Sequence, residues 1–296
     1  MNIVVTGAKG FLGQHLSLYL ASKKYSLIAA SRGECHIPHN QKFQYYKIDL
    51  TDEAEVRRML QKFQPEIIIH AAAMSKPDEC EKDHAECLKQ NVEVTKYLLQ
   101  SFKSEKNHSQ FIYISSDFIF GENGPHSEDD EPAPLNFYGE SKLLAEQFVK
   151  QSEINYAIIR PVFIYGKIWQ GLRPSFLHWV KNNLEQKNHI KVVSDQQRTP
   201  TFVTDVCKGI EQLIIQKKYG VYHLAGKDIL SPFEMAVTTA NVLNLDATFI
   251  ENVTSETFRE SVTRAKHSGL KINKAIKELN YNPVSFEEGV ERTFNS

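Results

Sequence analysis

"MNIVVTGAKGFLG", residues 1–13, is the stretch on which the fold turns. Residues 2–6 are an apolar, β-branched run without polar alternation, so they predict a strand buried on both faces. Gly7, Gly10 and Gly13 follow, and "FLGQHLSLYLAS" (11–22) then places apolar residues at helical spacing. Strand, glycine turn and helix in that order form a cradle for phosphate. Gly7 permits the tight turn, Gly10 lets a diphosphate approach the backbone, and Gly13 lets the helix pack on the sheet with its amino terminus facing the anion. The G-K-[ST] ending of a phosphate-binding lysine loop is missing. The turn therefore predicts a dinucleotide site built from Gly7, Gly10, Phe11, Leu12 and Gly13.

The same rhythm continues through the first half. Apolar runs at 26–31, 43–48, 66–72, 111–115 and 156–161 read as strands, and the segments 52–63, 85–102 and 138–151 read as helices. Strands too apolar to face water, alternating with helices, imply a parallel sheet covered on both sides. The expected class is α/β, a Rossmann-type doubly wound parallel sheet. Residues 122–136, rich in Glu, Asp, Pro and Asn, predict a long loop over the carboxyl edge of the sheet. Beyond 166 the rhythm loosens, with helices expected at 174–187, 204–218, 232–244 and 286–294 and strands at 190–193 and 220–226. The expected organisation is a dinucleotide-binding domain over 1–165 and a smaller α+β substrate-binding region over 166–296, partly interleaved with it.

Composition narrows the function. Among 296 residues, 35 Lys and Arg face 36 Asp and Glu, so no basic surplus calls for nucleic acid. No run reaches the roughly 18 apolar residues a membrane span needs, and the opening has no basic segment or cleavage site. The four cysteines (Cys35, Cys80, Cys87 and Cys207) form no C-x-x-C pair or zinc spacing, which points to reduced thiols in a cytoplasmic protein. His36 and His39 flank a proline without a third ligand nearby and read as surface residues, so no metal is expected. Small-molecule chemistry or protein binding remain as the expected kinds of function, and homodimers are frequent among soluble enzymes.

The end of the second strand sets the choice of nicotinamide. An acidic residue there would grip a ribose 2′-hydroxyl, but this chain has Ser31 and Arg32, with Lys9 nearby in the glycine turn. Hydroxyl and guanidinium suit a 2′-phosphate, so NADP is the preferred cofactor; Glu34 keeps NAD open. Further along, "NFYGESKLLAE" (136–146) puts Tyr138 one helical turn before Lys142.

The glycine turn and the Tyr-x-x-x-Lys pair together resemble the extended short-chain dehydrogenase/reductase family, over nearly the whole chain. "KIDLTD" (47–52) resembles the segment that contacts adenine, which implies Asp49 and Leu50. "HAAA" (70–73) is similar to the small-residue turn under the ribose and diphosphate, implying Ala71, Ala72 and Ala73, and Asn91 matches the helix asparagine. "ISSDFIFG" (114–121) resembles the strand that delivers a catalytic hydroxyl, here Ser116, and "IIRPVFIYG" (158–166) the strand whose proline, here Pro161, lies beside the nicotinamide. Within the family, "SSDFIFG", "AAAMSKPDECEKD" (71–83) and "SDQQRTPTFVTDV" (194–206) look most like the dTDP-4-dehydrorhamnose reductases.

The resemblance implies NADPH-dependent reduction of a nucleotide-linked 4-keto-6-deoxy sugar. Tyr138 would give the proton, Lys142 would lower the phenol's pKa and hold the nicotinamide ribose, and Ser116 would orient the carbonyl. Met74, Asp117, Phe118 and Arg198 are the implied substrate contacts; Trp169 and Trp179 are further stacking candidates, with core packing the expected place for Trp179. Arg198, seven residues before Asp205, resembles instead the arginine segment of nucleotide-sugar epimerases and dehydratases. Two alternatives thus stand: an epimerase or dehydratase, or a non-catalytic NADP-binding subunit like that of methionine adenosyltransferase.

Overall fold

The computed structural model describes residues 1–23, 25–38, 42–102, 109–169, 171–258 and 261–295. Its first half runs β1 (Asn2–Thr6), α1 (Phe11–Ala21), β2 (Ser26–Ser31), β3 (Gln44–Lys47), α2 (Glu53–Phe63), β4 (Ile67–His70), α3 (Pro77–Lys82), α4 (His84–Leu88), α5 (Val94–Ser101), β5 (Gln110–Ile114), α6 (Phe137–Gln151) and β6 (Tyr156–Arg160). The second half runs β7 (Ile164–Tyr165), α7 (Phe176–Glu185), β8 (Ile190–Val193), β9 (Thr201–Phe202), α8 (Val203–Ile215), β10 (Gly220–His223), α9 (Pro232–Val242), β11 (Ile250–Val253), α10 (Asn273–Leu279) and α11 (Phe286–Phe294). Among the described residues no helix is long and apolar enough to cross a membrane.

Seven strands form one parallel sheet in the order β10-β6-β5-β4-β1-β2-β3. This is a Rossmann-type sheet, and its order reverses between β1 and β4. The loops leaving those two strands part in opposite directions and open a crevice at the carboxyl ends. Successive side chains of a strand point to opposite faces, so the apolar runs feed two cores. Ile3, Val5, Ile67, Ile69 and Ile112 pack with α1 on one side. Val4, Ile68, Phe111 and Tyr113 pack with α2 and α5 on the other.

The second half closes the first core. Val206, Ile210 and Leu213 of α8, and Tyr222 and Leu224 from β10 and just after it, join Ile3 and Leu16 in one cluster. β10 pairs with β6 from Gly220↔Ala157 to His223↔Arg160, so the last strand of the sheet comes from beyond residue 166. The helix expected over 85–102 is interrupted: a π turn at Lys89–Glu93 separates α4 from α5. The strand pairs β7–β9 and β8–β11, and helix α10, add to what the pattern predicts. His39 lies outside the described residues.

A buried ion pair fastens the long loop to the sheet. Arg160 Nε and Nη2 donate to the two carboxylate oxygens of Glu146, at 2.9 and 2.7 Å, and both residues are buried. Arg160 Nη1 donates to the carbonyl oxygen of Glu128 (3.2 Å), while the Glu128 carboxylate accepts from the His223 backbone N–H (3.0 Å). Burial alone would push the Glu146 carboxyl up, but the hydrogen bonds and charge of Arg160 outweigh it and hold the group below its ordinary range. A folded-state pKa below the unfolded one gives stability that is present above the unfolded value and lost as pH falls through the folded one. Arg160→Met should therefore cost about 3–5 kcal/mol at pH 7 in urea unfolding, because Glu146 is left buried with only the half-exposed Lys150 at 3.5 Å to face it. The gap from wild type should narrow as pH falls, beginning above the ordinary carboxylate range, because the buried carboxyl that has lost Arg160 takes up its proton there while wild type stays ionised.

Candidate active site

Helix α6 begins where β5 ends its run at the crevice. Asn136 caps it, its side-chain oxygen accepting from the Gly139 N–H at 3.1 Å. Gly139 has a separate reason to lack a side chain: a Cβ there would stand 2.1 Å from the carbonyl oxygen of Phe118. The first turn of α6 thus lies tight against residues 116–118 and brings three groups together. The Ser116 hydroxyl is within hydrogen-bonding reach of the Tyr138 phenol, donates to Asp117 (3.1 Å) and accepts from the Phe118 N–H (3.3 Å). One turn later Lys142, also buried, donates from Nζ to the Ile114 carbonyl oxygen at 2.7 Å. Its ammonium lies 4.2 Å over the Tyr113 ring.

The electrostatics differ from the expected pattern. Burial pushes the Tyr138 phenol up, the Ser116 hydrogen bond opposes this, and the charge of Asp117 adds to it. Lys142 does not outweigh burial, and the phenol stays above its ordinary range. The lysine's own ammonium is brought down to about 7 by burial, against the opposing charge of Glu146. The reason is dryness: spacing alone makes the pair look like a cation beside a solvated phenol, but both groups sit where the charged form of each is disfavoured. Asp117 is likewise pushed up by burial, with Arg198 opposing.

These groups floor a cleft of about 540 Å³ that runs along the carboxyl edge of the sheet. Gly7, Gly10, Phe11, Leu12 and Gly13 form one wall, and Ser31, Arg32, Asp49 and Leu50 close one end. Ala71, Ala72 and Ala73 lie across from them, with Ser116, Asp117, Phe118, Tyr138, Lys142 and Pro161 towards the other end. The walls fit a dinucleotide. Gly7 has φ +67°, and a Cβ there would meet the Ala72 nitrogen at 2.6 Å; one on Gly13 would meet the Gly7 oxygen at 2.1 Å. A Cβ on Gly10 meets nothing closer than 3.2 Å, so its bareness leaves the turn open towards the cleft. Helix α1 carries neither a side-chain cap nor an acidic residue in its first turn, so its amino end offers backbone N–H groups and positive potential to an anion. At the far end Glu34 turns to Lys47 (3.0 Å), and Lys9 Nζ lies beside Gly33. The cations Lys9 and Arg32 are therefore left at the Ser31 end.

Several expected contacts lie elsewhere. Asn91 and Met74 do not line the cleft: Met74 N–H donates to Asn91 Oδ1 (2.7 Å), and Asn91 Nδ2 donates to the Met74 carbonyl (3.1 Å) and the Ser141 hydroxyl (2.9 Å). The asparagine is consumed in bracing the alanine turn against α6, and the π turn aims it there. Arg198 lines a narrow recess next to the cleft, sharing it with Asp117, Phe118, Asn136 and Arg264. Arg264, which carries no motif in the sequence, pairs with Asp78 at 3.0 Å. Ser75, Gln90 and Phe163 also line the cleft without having been expected there. Trp179 corrects the core expectation: it is 40 % exposed on α7, stacked on Phe176. Trp169 packs on His15, outside the lining of the cleft. All four cysteines are free, and no cluster of three or more metal-ligating side chains occurs among the described residues.

The strand order, the glycine turn and a serine, tyrosine and lysine at one end of the cleft define an extended short-chain dehydrogenase/reductase, a class of NAD(P)-dependent enzymes. The chain belongs to the RmlD substrate binding domain family, whose model matches residues 1–296. The spore coat polysaccharide biosynthesis protein SpsK of Bacillus subtilis is 28% identical over 97% of this chain and 95% of its own. Methionine adenosyltransferase 2 subunit beta of Danio rerio is 28% identical over 92% of this chain and 83% of its own. The crystal structure of dTDP-4-dehydrorhamnose reductase from Bacillus anthracis in complex with NADP superposes with a TM-score of 0.86, at 29% identity, covering 99% of this chain and 98% of that one.

The depressed Lys142 has a consequence for stability. Between about 7 and its unfolded value near 10.4 the unfolded chain binds the extra proton, so this group makes the fold more stable as pH rises through that window. Lys142→Met, freed of the burial cost, should raise the melting temperature of cofactor-stripped protein by several degrees at pH 6–7. Scanning fluorimetry across pH should show that advantage shrinking towards pH 10.

Proposed function

We propose that this protein is an NADPH-dependent reductase of a nucleotide-linked 4-keto-6-deoxy sugar, with NADH as the weaker cofactor. The observation that carries the reading is the junction of Ser116, Tyr138 and Lys142 at one end of a dinucleotide-shaped cleft, next to a recess holding two arginines. Gly7, Gly10, Phe11, Leu12 and Gly13 hold the diphosphate, and Ser31, Arg32 and Lys9 receive the 2′-phosphate. Asp49 and Leu50 flank the adenine, and Ala71 to Ala73 and Pro161 supply small, flat walls. The bound cofactor supplies the hydride.

The chain's own groups manage the proton. Tyr138 remains a phenol through the working range, which is the form a reduction needs, and gives its proton to the nascent alkoxide. Ser116 orients the carbonyl oxygen. Lys142 stabilises the phenolate left behind and reaches the ribose hydroxyls. Asp117 and Phe118 face the sugar. Arg198, joined by Arg264, meets the substrate diphosphate at the recess. Asn91 and Met74 act as braces of the alanine turn rather than as contacts.

The likeness to a methionine adenosyltransferase subunit favours a second reading, in which the cleft binds cofactor for a partner protein and turns nothing over. Capture of a stoichiometric partner, with no keto-sugar consumed, would support it over the first. An epimerase would instead retain its cofactor with no net NADPH oxidation.

Under the reductase reading, Tyr138→Phe should lower kcat by about 10²–10⁴-fold in an NADPH-oxidation assay on 4-keto sugar nucleotides. Calorimetry should find its NADPH affinity close to wild type. Arg32→Glu should weaken NADPH binding by tenfold or more while sparing NADH; equal losses for the two cofactors would refute the 2′-phosphate assignment.

A further inference from the structure

Lys142 poses a problem that its immediate contacts do not solve. A neutral carbonyl at 2.7 Å and an aromatic face at 4.2 Å are poor replacements for the hydration of an ammonium group. One turn further along α6 lies Glu146, with no exposed surface at all. Tyr138, Lys142 and Glu146 thus recur at intervals of four on one buried face of the helix. The two carboxylate oxygens of Glu146 are held by Arg160, at 2.9 and 2.7 Å, and Lys150 approaches from the surface at 3.5 Å. Arg160 is itself fixed from behind, by the Glu128 carbonyl at 3.2 Å and His223 Nε2 at 3.3 Å. The carboxylate is therefore locked in its ionised form, at a depth where an isolated carboxyl would take up a proton.

We propose that Glu146, held ionised by Arg160, is the counter-ion that keeps the Lys142 ammonium protonated beneath Tyr138, and is thus a positioning residue for proton transfer. The inference rests on the reductase reading of Tyr138 and Lys142. The other titratable groups facing Lys142 are Tyr113 from β5, His70 from β4, Cys80 and Cys87 from α3 and α4, and Tyr138 on its own helix. Burial and the charge of Lys142 bring His70 down to about 3, so it stays neutral, and burial pushes Tyr113 up. Glu146 is the carboxylate of the set. Its charge is the first of the influences that oppose burial at Lys142.

The test is a titration of Lys142 in protein labelled with ¹³C at lysine Cε, the signal being identified by its loss in Lys142→Met. It runs beside the pH profile of kcat/KM for NADPH-dependent reduction. Wild type should titrate near 7 and lose activity as pH rises through that value. Glu146→Gln should lower the midpoint by about one pH unit or more, a tenfold loss of proton affinity, and move the alkaline limb of the activity profile with it. Glu146→Asp keeps the charge but spoils the fit to Arg160. It should lower stability while leaving the midpoint within about 0.3 units of wild type. Should Glu146→Gln fail to fold, the double variant Glu146→Met/Arg160→Met leaves no unpaired charge and should show the same downward shift. A wild-type midpoint in both the Gln and the double-Met proteins overturns the proposal, as does an equal shift in the Asp and Gln proteins. If wild type reduces no keto-sugar, the functional reading fails, while the NMR titration still decides whether Glu146 is the counter-ion.

Discussion

Carrying one ammonium group into a dry sheet edge is the constraint around which this molecule is arranged. Lys142 is 2 % exposed, and its nearest donor-acceptor partner is a backbone carbonyl. Such a group is tolerable only where the surroundings are rigid and supply opposite charge. The features around it serve that end. Asn136 fixes the start of α6, Gly139 lets that start press on the backbone of Phe118, and Arg160 and Glu146 anchor the next turn to the sheet. A helix secured at both of these points holds Tyr138 in register with Ser116, whose hydroxyl also caps the turn that follows it.

The opposite wall of the cleft solves a different problem by different means. There the wall offers an anion backbone groups rather than side-chain charge. The uncapped amino end of α1 and the bare turn at Gly10 do this, while Lys9 and Arg32 gather only at the outer end. A partial charge built from peptide groups needs no counter-ion and no burial of an ionised side chain. The two ends of one cleft thus carry positive potential at very different cost.

Much of this is legible in the chain itself. The strands at 2–6, 26–31 and 190–193 can be read to the residue, because short apolar runs there are bounded by glycine, polar or charged residues. The walls of the cleft follow from the glycine turn, since its chemistry leaves few other uses for three glycines between a strand and a helix. What the chain conceals is direction and depth. A heptad-like run cannot disclose the π turn at 89–93 that swings Asn91 away from the cleft and into the alanine turn. Strands of two residues, β7 and β9, are too short to show any period. Arg264 reaches the recess from a loop near the end of the chain, with nothing in its neighbours to mark it. The pairing of Tyr138 with Lys142 is visible as a spacing, but its electrostatic sign depends on burial, which only the packed structure supplies.

The interleaving of the halves bears on how the chain emerges from the ribosome. Residues 3–16 contribute to a cluster that also needs Val206 to Leu224 and, further on, Leu270 to Tyr281. Synthesis proceeds from the amino terminus at about 5–20 residues per second, so β1 waits many seconds for its last packing partners. Over that interval the free edge of β6 and one apolar face of the sheet stand uncovered. Until then the growing chain presents an unpaired strand edge and an apolar face, the two features that favour misassociation of incomplete folds.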